Sequence, residues 1–161
     1  METIFITLRA LCYMAGFIFL FGWLALRVQV WDQSLRVDLP PWMKMVGAVV
    51  LGLGTLLVFA CGGVFIARGR GTPAIFDPPR QFTAAGPYKF VRNPMYIGGL
   101  AMLAGFGLFQ RSLAILLFSV AMCVLFHLFV LFVEEPGLER RFGESYLAYK
   151  RSVNRWMPKF S

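Results

Sequence analysis

Histidine, acid and cysteine are scarce in this chain: one histidine, eight acidic residues and three cysteines stand among 161 positions. His127 has no partner histidine, so no histidine-based metal site can be assembled, and a packed, hydrogen-bonded role is expected for it. Cys12, Cys61 and Cys123 lie far apart inside apolar runs without metal-ligand spacing, which points to reduced, packed thiols and to no metal. No Ser-His-Asp spacing, phosphate-cradling motif, internal repeat, low-complexity tract or interdomain linker occurs, which removes the familiar hydrolase and nucleotide-binding classes. Charge itself is thin, at 15% of residues against 58% hydrophobic, and a soluble domain of this size could not hide that much apolar surface.

What is present is membrane helix. Apolar runs of about 20 residues can cross the hydrocarbon layer, and four candidates appear: Ile4 to Leu26, Met45 to Ala67, Pro94 to Phe109 and Leu113 to Val133. The first is too long for a secretory signal and lacks a small-residue cleavage site, so it is expected to be retained. Arg9 near its start can extend its stem to the interface. Only Gln110, Arg111 and Ser112 part the third run from the fourth, which predicts a tight antiparallel hairpin. The expected architecture is therefore an all-α integral membrane protein with about four transmembrane helices, forming a single domain over residues 1–161.

The cations cluster on one side. Arg68, Arg70, Arg80, Lys89 and Arg92 in the second loop, and Arg140, Arg141, Lys150, Arg151, Arg155 and Lys159 in the tail, outnumber Arg27, Arg36, Lys44 and Arg111 opposite them. That asymmetry places the second loop, the tail and both termini in the cytoplasm. A net charge of +8 without a soluble basic domain suits anionic lipid headgroups and argues against nucleic acid. An oligomer is compatible with all of this.

The first loop ends in Leu39-Pro40-Pro41-Trp42, a turn and an interfacial anchor. The second is broken by glycine and proline but carries Ile75, Phe76, Phe82, Tyr88, Phe90 and Val91, enough apolar surface to fold back on the protein. In the tail, Leu138, Phe142, Tyr146, Tyr149 and Val153 recur at intervals of three and four, predicting one amphipathic helix that Trp156 and Pro158 end. Gly52 and Gly54, Gly62 and Gly63, and Gly98 and Gly99 read as sites of close helix packing.

Two stretches resist a purely structural explanation. Asn93-Pro94 is a helix start signal, an N-cap residue followed by proline at the first helical position. It leaves Arg92 and Tyr96 unexplained, beside helix N–H groups that favour an anion. At the other end of the hairpin, Glu134 and Glu135 repel each other near an expected helix C-terminus, where Pro136 is expected to stop the helix. They either engage a cationic ligand or pair with Arg140, Arg141 or the second-loop arginines. A hairpin sets its two cytoplasmic ends roughly 8–10 Å apart. A ligand carrying a carboxylate and cationic groups fits both corners, and S-adenosylmethionine has that distribution.

At these residues the sequence resembles the integral-membrane methyltransferases that include isoprenylcysteine carboxyl methyltransferase and phosphatidylethanolamine N-methyltransferase. The resemblance covers about residues 83 to 158 and rests on G-P-Y-K-F-V-R-N-P-M-Y-I-G, on E-E-P-G-L-E-R-R-F-G-E-S-Y-L-A-Y and on R-W-M-P. It implies that this half binds S-adenosylmethionine at the cytoplasmic face while a lipid-like acceptor enters from the bilayer. Carried over residue by residue, Arg92, Asn93, Pro94, Tyr96 and Gly98 shape the cofactor pocket. Glu134 and Glu135 engage its cationic end and are the candidate catalytic residues, and Tyr146, Tyr149, Arg155 and Trp156 belong to the tail that closes over the adenosine. The carboxyl-methylating branch typically reads R-H-P-x-Y. Asn93 stands at the histidine position and cannot serve as a general base; the N-P-M-Y form is similar to the phospholipid amine-methylating branch and G-P-Y-K-F-V-R to the other, which implies a phospholipid amine as the expected acceptor, with a prenylated carboxylate as the alternative. The rival from another class is a non-catalytic membrane scaffold in which the same charges form only structural ion pairs.

Overall fold

The computed structural model describes residues 2–64, 66–67 and 85–159. The second-loop residues Arg68, Arg70, Ile75, Phe76, Arg80 and Phe82 lie outside the described residues. Among those described, every regular element is helical: α1 (Glu2–Gln29), α2 (Asp32–Leu35), α3 (Met43–Val64), a 3₁₀ turn (Gly86–Lys89), α4 (Pro94–Gln110), α5 (Leu113–Phe129), a π-helical stretch (Val130–Glu134), α6 (Glu135–Phe142) and α7 (Glu144–Ser152). Thr7–Leu35, Met43–Val64 and Leu113–Phe142 are long and apolar enough to cross a bilayer. α4, with 17 residues, rises about 26 Å. Phe19, Met45, Leu56, Val120 and Phe132 are among many large apolar side chains facing outward, a surface that suits lipid and not water. Cys12 and Cys123 share that exposure, so of the three thiols only Cys61 is buried as expected.

α3 and α4 form the tightest pair because glycines line their seam. A Cβ on Gly105 would fall 2.5 Å from the Leu51 amide nitrogen, and one on Gly54 would fall 2.7 Å from that of Met102. Such contact between backbones is the packing that small residues permit in membrane helices. Gly52, Gly63 and Gly99, which were expected to serve packing too, face no neighbour within 4 Å. Ala25 of α1, Leu103 of α4 and Ile115 of α5 form a small core flanked by Val28, Phe106, Phe118 and Met122.

The connection between α4 and α5 is short and fully bonded. Arg111 adopts a left-handed conformation (φ 54°), and Ser112 caps α5 by accepting from the Ile115 amide at 3.1 Å. The first loop contributes here as well: Asp32 Oδ1 accepts from the Ala114 amide at 2.8 Å, and Arg111 Nε donates to the Leu39 carbonyl at 2.7 Å.

The structure departs from the sequence expectations in two places that shape the site. Pro136 does not end the fourth helix. The chain passes from α5 through the wide Val130–Glu134 turn, where the Glu135 amide donates to the Val130 carbonyl, and continues as α6 to Phe142. A wide turn makes room for the proline ring, which would otherwise collide with the carbonyl four residues back. Glu134 and Glu135 therefore lie within a continuous helical run, not at a helix C-terminus. The amphipathic tail, expected as one helix, is two: Gly143 takes a positive φ of 52° and divides α6 from α7.

Candidate functional site

The Arg92–Tyr96 corner is built by the tail. Asn93 occupies the N-cap position of α4 and its carbonyl accepts the first helical bond from Ile97 at 3.2 Å, but its side chain makes no cap. It turns away instead, Nδ2 donating to the Arg155 carbonyl at 3.4 Å. Two backbone bonds run alongside, from the Arg92 amide to the Asn154 carbonyl (2.9 Å) and from the Asn93 amide to the Arg155 carbonyl (3.3 Å). The tail is thus stitched across the mouth of the hairpin. Pro94 is fully buried in the first turn beneath it.

The two adjacent glutamates have separate surroundings. Glu135 is 3% exposed and carries three cations: Arg155 grips it through Nε at 2.7 Å and Nη2 at 2.9 Å, Arg92 Nη1 lies 3.0 Å away and Lys150 Nζ 3.4 Å. Arg155 supplies the forked donor that holds a carboxylate best. Lys150 is shared with Glu139, and its ammonium is held above its usual range, first by that hydrogen bond. Glu134 meets none of these cations. Its Oε2 accepts from the Tyr96 hydroxyl at 2.7 Å, and the Tyr96 ring leans on Phe126 at 5.2 Å. Of the arginines expected as partners of the glutamates, the second-loop Arg92 does pair with Glu135, whereas Arg140 and Arg141 form no ion pair with either glutamate among the described residues.

Above this lie the tail tyrosines. Tyr149 donates to the Tyr88 carbonyl at 2.6 Å and packs on Tyr146. Burial, and then the Glu135 charge, push the Tyr146 phenol up to about 12, while Arg92 beside it pulls the other way. Burial likewise raises the Tyr149 and Tyr88 phenols. Arg92 Nε is buried in this setting with no hydrogen-bond partner among the described residues. A buried guanidinium nitrogen without a partner is costly unless a ligand satisfies it.

A cavity of about 830 Å³ opens beside these groups. Arg92, Asn93, Tyr96, Glu134, Glu135 and Arg141 give it a polar end, and the rest of its wall is mainly apolar and aromatic, from Phe17 and Phe21 of α1 through Leu100 and Phe106 of α4 to Phe126 and Phe129 of α5. Met95 and Phe106 on α4 are 11 residue steps apart, which is a depth of about 16 Å. The volume and the mainly apolar lining are those of a small-molecule or lipid site.

Of the residues singled out from the sequence, Arg92, Asn93, Tyr96, Glu134, Glu135, Tyr146 and Tyr149 line this cavity, whereas Pro94, Gly98, Arg155 and Trp156 do not. Gly98 faces α3, where a Cβ would fall 2.8 Å from Val58 Cγ2. Trp156 reaches the flank of α5, Nε1 donating to His127 Nδ1 at 3.0 Å, which gives the lone histidine its partner. Three contributors escaped the sequence reading: the α1 wall, Lys150 as a partner of Glu135, and Arg141 at the cavity. Only Lys150 left a usable signal, as a cation 11 residues from Glu139 and one turn beyond Tyr146 in an amphipathic stretch.

Comparison with known proteins places this arrangement among relatives. The model of the phospholipid methyltransferase family matches residues 42–145, more than half of the chain. A phosphatidylethanolamine N-methyltransferase of Sordaria macrospora is 31% identical over 108 residues, and one of Neurospora crassa is 30% identical over 108 residues. Each match covers 65% of this chain and 11% of the relative, so the chain spans about a tenth of the length of the curated relatives it matches. The family match takes in α3, α4, α5, α6 and both glutamates, and stops before Tyr146.

Proposed function

Since the chain belongs to the phospholipid methyltransferase family, we propose that it transfers a methyl group from S-adenosylmethionine to the amine headgroup of a membrane phospholipid. The observation that carries this reading is the cavity with one polar end, where Arg92, Tyr96 and Glu134 meet an apolar channel lined by α1, α3, α4 and α5. The fit to the cofactor rests on Arg92 Nε, buried and without a hydrogen-bond partner among the described residues, which suits a carboxylate. Glu134, free of the cations that surround Glu135, suits the cationic end of the cofactor or the ammonium of the acceptor. Leu138, Phe142, Tyr146 and Tyr149 offer the adenosine an apolar and aromatic shelf.

When bound, S-adenosylmethionine supplies a methyl group on a sulfonium, open to a single in-line displacement. The contribution of the chain is alignment and exclusion of water. Tyr96 holds the Glu134 carboxylate in one place by donating to it. A primary ammonium must lose a proton before it can act as a nucleophile, and Glu134 Oε1, the oxygen Tyr96 does not engage, accepts it. Glu135 acts on the cofactor only through Arg92, as a positioning residue. The reading includes a crossing by α4, a single domain over residues 1–161, residues 83–158 as the cofactor half, and cytoplasmic placement of the site and both termini from the lysine and arginine asymmetry. Anionic lipids serve as the surrounding surface.

Calorimetric titration of S-adenosylmethionine and its demethylated product into detergent-purified protein, with Glu134→Gln alongside, tests this. Saturable binding by the wild type, weakened in the variant, together with methyl transfer onto phosphatidylethanolamine in vesicles, is the expected result. Folded protein that binds neither compound across the millimolar range returns the chain to the scaffold reading.

A further inference from the structure

Arg141 stands apart from the other cations of the site. Arg92, Lys150 and Arg155 converge on Glu135, and Lys150 is bound to Glu139 as well. Arg141 lines the same cavity, is exposed, and has no carboxylate within ion-pair distance among the described residues. Its guanidinium rests over the Phe142 ring, 5.5 Å from the centroid, and that ring also lines the cavity. Stacking of this kind fixes a long side chain without consuming its in-plane donors. Neighbouring Arg140 differs: its Nε donates to the Pro136 carbonyl at 3.2 Å, and it does not line the cavity.

Glu134 and Arg141 are seven residues apart on one continuous helical run, two turns and about 10 Å of rise, so both reach the cavity from the same helix face. One is an anion held by Tyr96, the other a cation stacked on Phe142, with apolar wall beside them. A zwitterion whose anionic and cationic groups are joined by a two-carbon link complements that pair when its ammonium meets Glu134 and its anion meets Arg141.

Resting on the functional reading above, we propose that Arg141 is the residue that recognises the phosphodiester of the acceptor headgroup, and that this contact selects phosphoethanolamine lipids over amphiphilic amines without phosphate. Arg141 aims the headgroup by its phosphate, so that the amine falls at Glu134. The cofactor makes no use of Arg141.

The test compares wild type, Arg141→Ala, Arg141→Lys and Arg140→Ala on two acceptors: phosphatidylethanolamine in mixed micelles, and a single-chain primary amine of matched length without phosphate. S-adenosylmethionine affinity is measured on each by calorimetry, which also reports folding. For Arg141→Ala, KM for the phospholipid rises about tenfold to a hundredfold, the range one charge-assisted hydrogen bond sets. Its kcat, its cofactor affinity and its KM for the plain amine stay unchanged. Arg141→Lys recovers part of the loss, since it keeps the charge without the planar fork, and Arg140→Ala changes neither KM. An unchanged phospholipid KM in Arg141→Ala overturns the inference while leaving the functional reading in place, and so does a loss of cofactor affinity in that variant. Failure of the wild type to methylate either acceptor or to bind the cofactor ends both.

Discussion

Replacing Glu135 by alanine removes the anion on which three cations converge. Arg92 and Glu135 are nearly sealed, with side-chain exposures of 9% and 4%, Arg155 is 22% exposed and Lys150 36%. Taking one partner from a buried ion pair leaves the other charge uncompensated and costs about 3–5 kcal/mol. The Arg92 pair belongs to that class. Arg155 and Lys150 reach water and can rehydrate, so their share is small, and about 3 kcal/mol is the expected total. The loss is local, because Arg155 then no longer anchors the two backbone bonds that bind residues 154 and 155 to Arg92 and Asn93. Hydrogen exchange should show residues 144–157 and the Arg92 and Asn93 amides losing protection by roughly two orders of magnitude, while the α3–α4 seam keeps its own. Glu134→Gln, which can still accept from Tyr96, should leave the same amides within about threefold of wild type. If Glu135→Ala leaves the tail protected, or if Glu134→Gln frees it equally, the division of labour between the two glutamates is wrong.

Gly105→Ala should destabilise the protein by about 1–3 kcal/mol through overpacking, read as thermal unfolding in detergent, because the new Cβ lies 2.5 Å from a backbone nitrogen; Gly99→Ala, with open space, should be nearly silent. The Tyr146 phenol, pushed from 10.0 to about 12, favours the neutral form in the folded state. Its contribution to stability is thus fully present below pH 10 and is lost as pH rises to about 12; tyrosinate absorbance of wild type against Tyr146→Phe should show the missing late titration. Trp156→Phe and His127→Ala should each cost about 1 kcal/mol for the lost hydrogen bond, and the double variant little more than either. Cofactor affinity in Trp156→Phe should match wild type, since Trp156 stands outside the cavity wall.

How much of this was legible in the sequence depends on the range of the interaction. The start of α4 at Pro94 and of α5 at Leu113 was legible because Asn-Pro is a local signal and the polar Gln110-Arg111-Ser112 break parts two apolar runs. Arg92, Tyr96, Glu134 and Glu135 could be brought together on paper because a hairpin returns its two ends to one place. The wide turn at Val130–Glu134 could not be seen, since proline usually ends a helix and nothing nearby announces the rarer alternative. Gly143 was visible but outvoted by an apolar period that runs straight through it. That Glu135, not Glu134, would collect the cations depends on Arg155, 20 residues away, and on a tail whose path no periodicity encodes. The α1 wall is the extreme case, for its sequence says lipid on every side, yet Phe17 and Phe21 turn inward to the cavity.

The wide turn lets one rod keep side chains on the same cavity along both of its halves. Below it, α5 seats Ile115 in the small core and gives Phe126 and Phe129 to the cavity wall; above it, α6 sends Leu138, Arg141 and Phe142 to the same cavity. One residue of extra winding corresponds to roughly 100° of azimuth, so the turn acts as a keyed coupling between a shaft that seats in the protein and a head that lines the cavity. What the coupling does not tolerate is a gain or loss of one residue between Val130 and Pro136, a change invisible to hydropathy and small in volume that would alter where the head is aimed.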